Sequence, residues 1–169
     1  YYRDAKMLTI YEGTTAFQAN DLVGRKTPRD GGQTAKALAD QVAQTEAQLI
    51  ASGNADAQAM AKRLKAGREA LVDVVNFVAG NTKAKPNDVF AGSVPYLMLT
   101  GNLMAGWQMG RALLVALTPD AQAQDAAFMA SKVTTARFYA DHILSKVPGI
   151  RDSIVEGAGS VTELALDAF

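Results

Sequence analysis

Apolar residues recur along most of this chain at the three-and-four spacing of an amphipathic helix, and no stretch sustains the alternation of a half-buried strand. Over 33–52, Leu38, Val42 and Leu49, with Thr45 between, fall on one helical face, and Gly53-Asn54 is expected to end that helix. A second pattern over 55–79 sets Leu64, Leu71, Val74, Val75 and Val78 on a single face. Gly80 reads as its C-terminal stop and Lys83-Ala84-Lys85-Pro86-Asn87 as the following loop. A third begins near Asp88 or Ser93 and extends to about Leu117. It is apolar nearly all round (Val94, Tyr96, Leu97, Met98, Leu99, Leu103, Met104, Trp107, Met109, Leu113, Leu114 and Val115), which predicts the buried helix of the set. Pro95 suits its first turn, and Gly101, Gly106 and Gly110 permit close helix–helix approach. Thr118-Pro119-Asp120 breaks the pattern and starts a fourth helix over 120–147, with Met129, Val133, Ala136, Ala140, Ile143 and Val147 as a bundle seam. Pro148-Gly149 is expected to end it, before a short helical turn through Ile154 and a tail from Gly157 to Phe169.

The first 26 positions are patterned differently. Residues 1–8 read as the end of a helix with Arg3, Asp4 and Lys6 on its wet side, and 9–13 interrupt it. Thr14 or Thr15 is expected to cap a helix running through Phe17, Leu22 and Val23 to about Lys26. Thr27-Pro28-Arg29-Asp30-Gly31-Gly32 is the clearest break in the chain, and a boundary is expected there between 1–26 and a unit over 33–169. The fold class is all-α: an antiparallel helical bundle preceded by a short helical fragment.

Composition narrows the chemistry. With 49% hydrophobic residues a packed core is within reach, and 17 basic against 17 acidic residues leave no electrostatic footprint for nucleic acid or an acidic membrane. The absence of cysteine excludes disulfides, thiolate catalysis and Cys-ligated metals, and a single histidine excludes a His-based metal cluster within one chain. No apolar run is long enough to span a bilayer and no signal-peptide pattern is present. A cysteine-free chain is compatible with a reducing cytosol, and a cytoplasmic location is expected. The first residue is Tyr1 rather than Met, so the chain is expected to be processed, cut or a piece of something longer.

Candidate chemistry concentrates in Thr9-Ile10-Tyr11-Glu12-Gly13-Thr14-Thr15. An acid in a loop is ordinarily a solvated residue, but the neighbours of Glu12 raise its standing. Gly13 lets a ligand approach the backbone closely. The Thr14-Thr15 helix start leaves N–H groups that favour an anion. Ile10 and Tyr11 could keep the site dry, which would raise the Glu12 pKa and suit it to proton abstraction.

Arg3-Asp4-Ala5-Lys6, then Ile10-Tyr11-Glu12-Gly13-Thr14, then Gln18 resembles the C-terminal catalytic segment of the acyl-CoA dehydrogenases over roughly the first 26 residues. The resemblance implies an FAD enzyme that oxidises an acyl-CoA thioester to its 2,3-enoyl form. Glu12 would be the base that removes the α-proton, while the β-hydrogen leaves as hydride to the flavin. Gly13 would lie against the substrate thioester region, and Thr14, Thr15 and Ala16 would border the FAD. Position 16 departs from the family, whose common members carry a polar residue there. Some branches take their base from another helix; Glu in the motif argues against that exception. The resemblance also implies electron-transfer flavoprotein as electron acceptor and a homo-oligomer. Asn20-Asp21-Leu22-Val23-Gly24-Arg25-Lys26 followed by a long helical extension is similar to the larger bacterial members, the 3-methylmercaptopropionyl-CoA dehydrogenase type. Phe90-Ala91-Gly92-Ser93-Val94-Pro95-Tyr96 and Ala136-Arg137-Phe138-Tyr139 fit that extension. In that family FAD is held by several domains and a neighbouring subunit, so this chain alone is expected to bind FAD weakly or not at all and to lack activity.

The other notable residues read as structure. His142, near the seam of the fourth pattern, has no partner acid or cysteine in view, and Trp107 with Met98, Met104 and Met109 read as core packing. Arg25 and Lys26 complement a helix C-terminus, with contact to a phosphate as the secondary reading. Gly157-Ala158-Gly159 lacks the preceding strand of a nucleotide loop. The rival to the dehydrogenase reading is a non-catalytic helical interaction or oligomerisation module, in which the Glu12 loop is a connector.

Overall fold

The computed structural model describes residues 2–10, 13–163 and 165–168. In chain order the helices are α1 (Tyr2–Ala5), α2 (Met7–Ile10), α3 (Thr15–Asp21), α4 (Gln33–Ala51), α5 (Ala55–Asn81), α6 (Pro86–Ala91), α7 (Ser93–Ala116), α8 (Pro119–Gln124), α9 (Ala126–His142), α10 (Val147–Val155) and α11 (Ala158–Thr162). A π-helical turn, Leu22–Lys26, continues α3, and short 3-10 turns lie at Pro28–Asp30, Leu144–Lys146 and Leu166–Ala168. Among the described residues no strand occurs, so the all-α bundle expected from the apolar spacing is the fold observed.

The long helices pack around one apolar core. α4 contributes Val42 and Leu49; α5 contributes Met60, Leu64, Leu71, Val74, Val75 and Val78; α7 contributes Tyr96, Leu99, Leu103 and Leu113. Ala136 and Ala140 of α9, Leu144 of the following turn, and Val147 and Ile154 of α10 close it. The 53–54 turn reverses the chain between α4 and α5: Gly53 takes a left-handed φ of 66°, and the Asn54 side chain accepts from the N–H groups of Asp56 and Ala57, satisfying two first-turn donors of α5.

Small residues set the closest approaches. A Cβ on Gly106 would lie 2.6 Å from Leu144 Cδ2, and one on Gly110 3.0 Å from Leu64 Cδ1, so both glycines serve helix–helix contact as expected. Gly101 does not, for it opens to solvent with nothing within 4 Å.

Several boundaries differ from the sequence reading. The first segment breaks at Lys6, between α1 and α2, and reaches Ile10, two residues beyond Leu8; Thr9 turns both its N–H and its hydroxyl onto the Lys6 carbonyl. Gly80 does not stop α5. Asn81 Nδ2 and the Thr82 hydroxyl donate back to the carbonyls of Phe77 and Val78, which satisfies last-turn acceptors and carries the helix onward. Gly92 separates α6 from α7, and a Cβ there would meet Ile154 Cγ2 at 2.8 Å. The single fourth helix is instead α8, α9, a 3-10 turn and α10. Asp125 leaves helical geometry at φ −158° and caps α9 by accepting from Phe128 N–H. Pro148 does not end a helix; it lies in the first turn of α10, where its missing N–H costs nothing. The α9 seam passes from Ala140 to Leu144, leaving Ile143 only partly buried.

The most apolar helix is not enclosed. α7 meets α3, α4, α5, α9 and α10, yet Met98 is 51% and Val115 60% exposed. Composition alone could not reveal that neighbours surround only one side.

Candidate functional site

The sequence of 13–32 builds a helix start in solvent and anchors its other end in the bundle. Thr14 is extended (φ −75°, ψ 145°), and its hydroxyl oxygen accepts from Phe17 N–H at 3.2 Å, so Thr14 is the cap of α3. Thr15 and Ala16 form the first turn. Gly13, Thr14, Thr15 and Ala16 are all exposed, as is Phe17. Glu12 lies outside the described residues, as does Tyr11, so the structure brings together the four positions that follow the acid. First-turn N–H groups have no acceptor within their own helix. With two threonine hydroxyls they make a surface suited to hydrogen-bond acceptors or an anion; Ala16 adds no polar atom.

Burial begins at Ala19 and Val23, both fully enclosed. Beyond them the Thr27 and Tyr96 hydroxyls lie 3.0 Å apart in a buried hydrogen bond that ties the segment to α7. Burial pushes the Tyr96 phenol above its ordinary range, and the Thr27 hydrogen bond opposes that rise. The chain then reverses at Gly31 and Gly32. Gly32 has φ +82°, and a Cβ there would come within 2.3 Å of Val75 Cγ1, so only glycine fits. Asp30 caps the next helix by accepting from Gly32 N–H and Thr34 N–H, at 3.0 and 2.9 Å. These bonds, that of the Thr34 side chain foremost, hold the Asp30 carboxyl below its usual range. Beside this turn lies an apolar cleft of about 190 Å³, lined by Leu22, Ala35, Leu38, Leu71, Tyr96 and Met104. Leu38, expected on the inner face of α4, is 37% exposed because it stands at this rim.

Arg25 and Lys26 are both engaged by Asp21. Arg25 meets it through two nitrogens at 2.6 and 2.8 Å, and Lys26 lies 3.6 Å away. Their hydrogen bonds and charges, Arg25 first, lower the Asp21 carboxyl. His142 is not on the seam. It is exposed, with its ring stacked on Phe138 at 4.6 Å. Trp107 is partly buried and donates its indole N–H to Thr45 Oγ1 at 2.7 Å, which explains a hydroxyl in the apolar stripe of α4. Met98 is exposed rather than packed in the core. Sequence reasoning missed the paired Glu46 and Arg68, whose two hydrogen bonds of 2.8 and 3.1 Å join α4 to α5. Glu46 lies among the buried residues of α4, a position that becomes evident only once α5 is in place. Among the described residues no cluster of acids or histidines could hold a metal ion, and no helix is long and apolar enough to cross a membrane.

The all-α fold agrees with that of a dehydrogenase C-terminal family. Residues 37–165 match the family described as acetyl-CoA dehydrogenase C-terminal like, and the chain belongs to that family. It is 43% identical over 166 residues, 98% of its length, to a 3-methylmercaptopropionyl-CoA dehydrogenase of Ruegeria pomeroyi. It is also 33% identical over its whole length to the broad-specificity linear acyl-CoA dehydrogenase FadE5 of Mycobacterium tuberculosis. The chain spans 28% and 29% of the length of these two relatives.

Proposed function

We propose that this chain is the C-terminal part of an FAD-dependent acyl-CoA dehydrogenase, with 1–26 ending the catalytic fold and 33–169 forming an appended helical bundle. The observation that carries the reading is likeness along 98% of the chain to an acyl-CoA dehydrogenase, combined with the Tyr11-Glu12-Gly13-Thr14 motif at a capped, exposed helix start. In this reading Glu12 takes the α-proton of the acyl-CoA thioester. A carboxylate suits that step when it is desolvated and positioned. Gly13 has no side chain to obstruct the thioester region. Thr14 and Thr15 offer hydroxyls, and Ala16 offers backbone only, along the edge of the FAD. The flavin supplies the acceptor for the β-hydrogen, which leaves as hydride. Electron-transfer flavoprotein is the proposed electron acceptor, and the cytoplasm the proposed compartment.

FAD, held elsewhere in the enzyme, would meet here an exposed helix start with the Thr14 and Thr15 hydroxyls beside it. The same exposure leaves this chain alone without the walls of a flavin pocket, so it is proposed to be inactive by itself. The test is the visible flavin spectrum of the intact dehydrogenase that carries this chain, titrated with a panel of acyl-CoAs, in wild type and Glu12→Gln. Bleaching in wild type and none in the variant is expected. Equal bleaching in both would remove Glu12 from the chemistry, and a colourless intact protein would leave a helical interaction module.

A further inference from the structure

Helix α3 is tied to the bundle by few side chains. The residues of 13–18 are exposed. Burial starts at Ala19 and Val23, with Leu22 partly buried beside them. Ala19, Val23 and Thr27 succeed one another at steps of four, and both α3 and the π-helical turn that follows it meet α7. Contacts between alkyl groups are non-directional. The first two residues therefore hold the helix against α7 but leave its roll and slide weakly specified. The Thr14 cap and the Asp21–Arg25 pair are bonds within the segment itself.

Thr27 supplies direction. Its N–H donates to the Leu22 carbonyl at 2.9 Å, closing the π-helical turn, and its carbonyl accepts from Gly32 N–H at 2.9 Å. Its hydroxyl meets that of Tyr96 at 3.0 Å. Thr27 is 4% and Tyr96 1% exposed, so the two hydroxyls face each other away from solvent. A buried Val against Phe would be nearly as stable as this pair. What the hydroxyls add is a fixed distance and angle between the root of α3 and α7. At the same root Gly24 lets Phe90 of α6 come close: a Cβ there would stand 2.9 Å from the ring Cζ.

We propose that Thr27 and Tyr96 are positioning residues for Glu12: their hydrogen bond sets the roll and register of α3 on the bundle, and through α3 the placement of the acid that precedes its cap. This inference rests on the reading of Glu12 as the base. Thr27 lies about 20 Å along the helix from Thr14, at about 1.5 Å per residue, and a helix is rigid enough over that length to carry a change of register. Proton abstraction is sensitive to such a change, since a misplacement of about 1 Å can slow a reaction ~100-fold.

The test uses the intact dehydrogenase that carries this chain. Tyr96→Phe and Thr27→Val each delete the bond and keep the side chain's shape. Each is expected to lower kcat ~10- to 100-fold, with KM for acyl-CoA and flavin content unchanged. The double variant is expected to be no slower than either single one, because all three lack the same bond. Thr27→Ser keeps the hydroxyl and is expected to retain most of kcat; its comparison with Thr27→Val carries the test should Tyr96→Phe not fold. Wild-type kcat in Tyr96→Phe and Thr27→Val, with Glu12→Gln inactive, would overturn the positioning role and leave the base reading standing. A fall in kcat matched by loss of flavin, or one that Thr27→Ser shares with Thr27→Val, would overturn it as well. Full activity in Glu12→Gln would remove the base reading and this inference with it.

Discussion

The N-terminal segment and the bundle are both helical and both carry large apolar side chains, but they use them oppositely. Tyr2, Met7, Leu8, Ile10 and Phe17 are all more than half exposed, with Phe17 at 77%. In the bundle, Leu49, Leu64, Leu71, Leu99, Leu103 and Leu113 are sealed from solvent. Helix formation therefore does not report packing. α1 and α2 obey local propensity and have no buried residue, whereas α4, α5 and α7 gain most of their stability from burial. Exposed apolar side chains grouped in this way are suited to an interface.

Substitution can sharpen that contrast. The largest effect is expected at Leu103, whose Cδ1 sits 3.1 Å from where a Cβ on Gly67 would be. Leu103→Ala should cost about 3–4 kcal/mol of bundle stability in denaturant melts, against less than about 0.5 kcal/mol for Phe17→Ala. A comparable loss from Phe17→Ala would mean that Phe17 itself packs on the bundle. Next comes the ion pair. Arg68→Ala leaves Glu46, only 6% exposed, without its two charged hydrogen bonds, and should cost about 2–3 kcal/mol. Helix caps divide the regions again. Asn54→Ala should lower bundle stability by about 1 kcal/mol, while Thr14→Ala should fray α3 and leave the main unfolding transition in place, read by hydrogen exchange.

The smallest effect concerns alkaline pH. Burial raises the Tyr96 phenol above its unfolded value, which is about 10. The neutral phenol's contribution is complete below that value and is lost as pH rises through the folded pKa. Stability should therefore decline above about pH 10, and Tyr96→Phe should flatten the decline while losing the bond to Thr27. A variant with the same alkaline slope as wild type would assign the decline to other groups.

Periodicity made the long helices legible, because Leu64, Leu71, Val74, Val75 and Val78 share a face whatever surrounds them. It failed where one residue type has two uses. Pro148 reads equally as the end of one helix or the first turn of the next, and only the earlier break at Ile143 decides. Gly80 reads as a stop, but Asn81 and Thr82 supply the carbonyl partners that make a stop unnecessary. Met98 and Leu103 are equally apolar on one helix; which is buried depends on where the neighbouring helices lie. The cap at Thr14 was legible, being local. The Thr27–Tyr96 and Trp107–Thr45 bonds span 69 and 62 positions and left no local trace.

The Thr27–Tyr96 bond and the buried Val23 give α3 one anchored end, while its start at Thr14 stands exposed. Mechanically it is a cantilever: the helix is held at its base by the bundle and carries Gly13 and Thr14 at its tip. The π-helical turn Leu22–Lys26 joins it to that base. The direction in which Gly13 and Thr14 are presented is therefore set by how the bundle grips the far end of their helix.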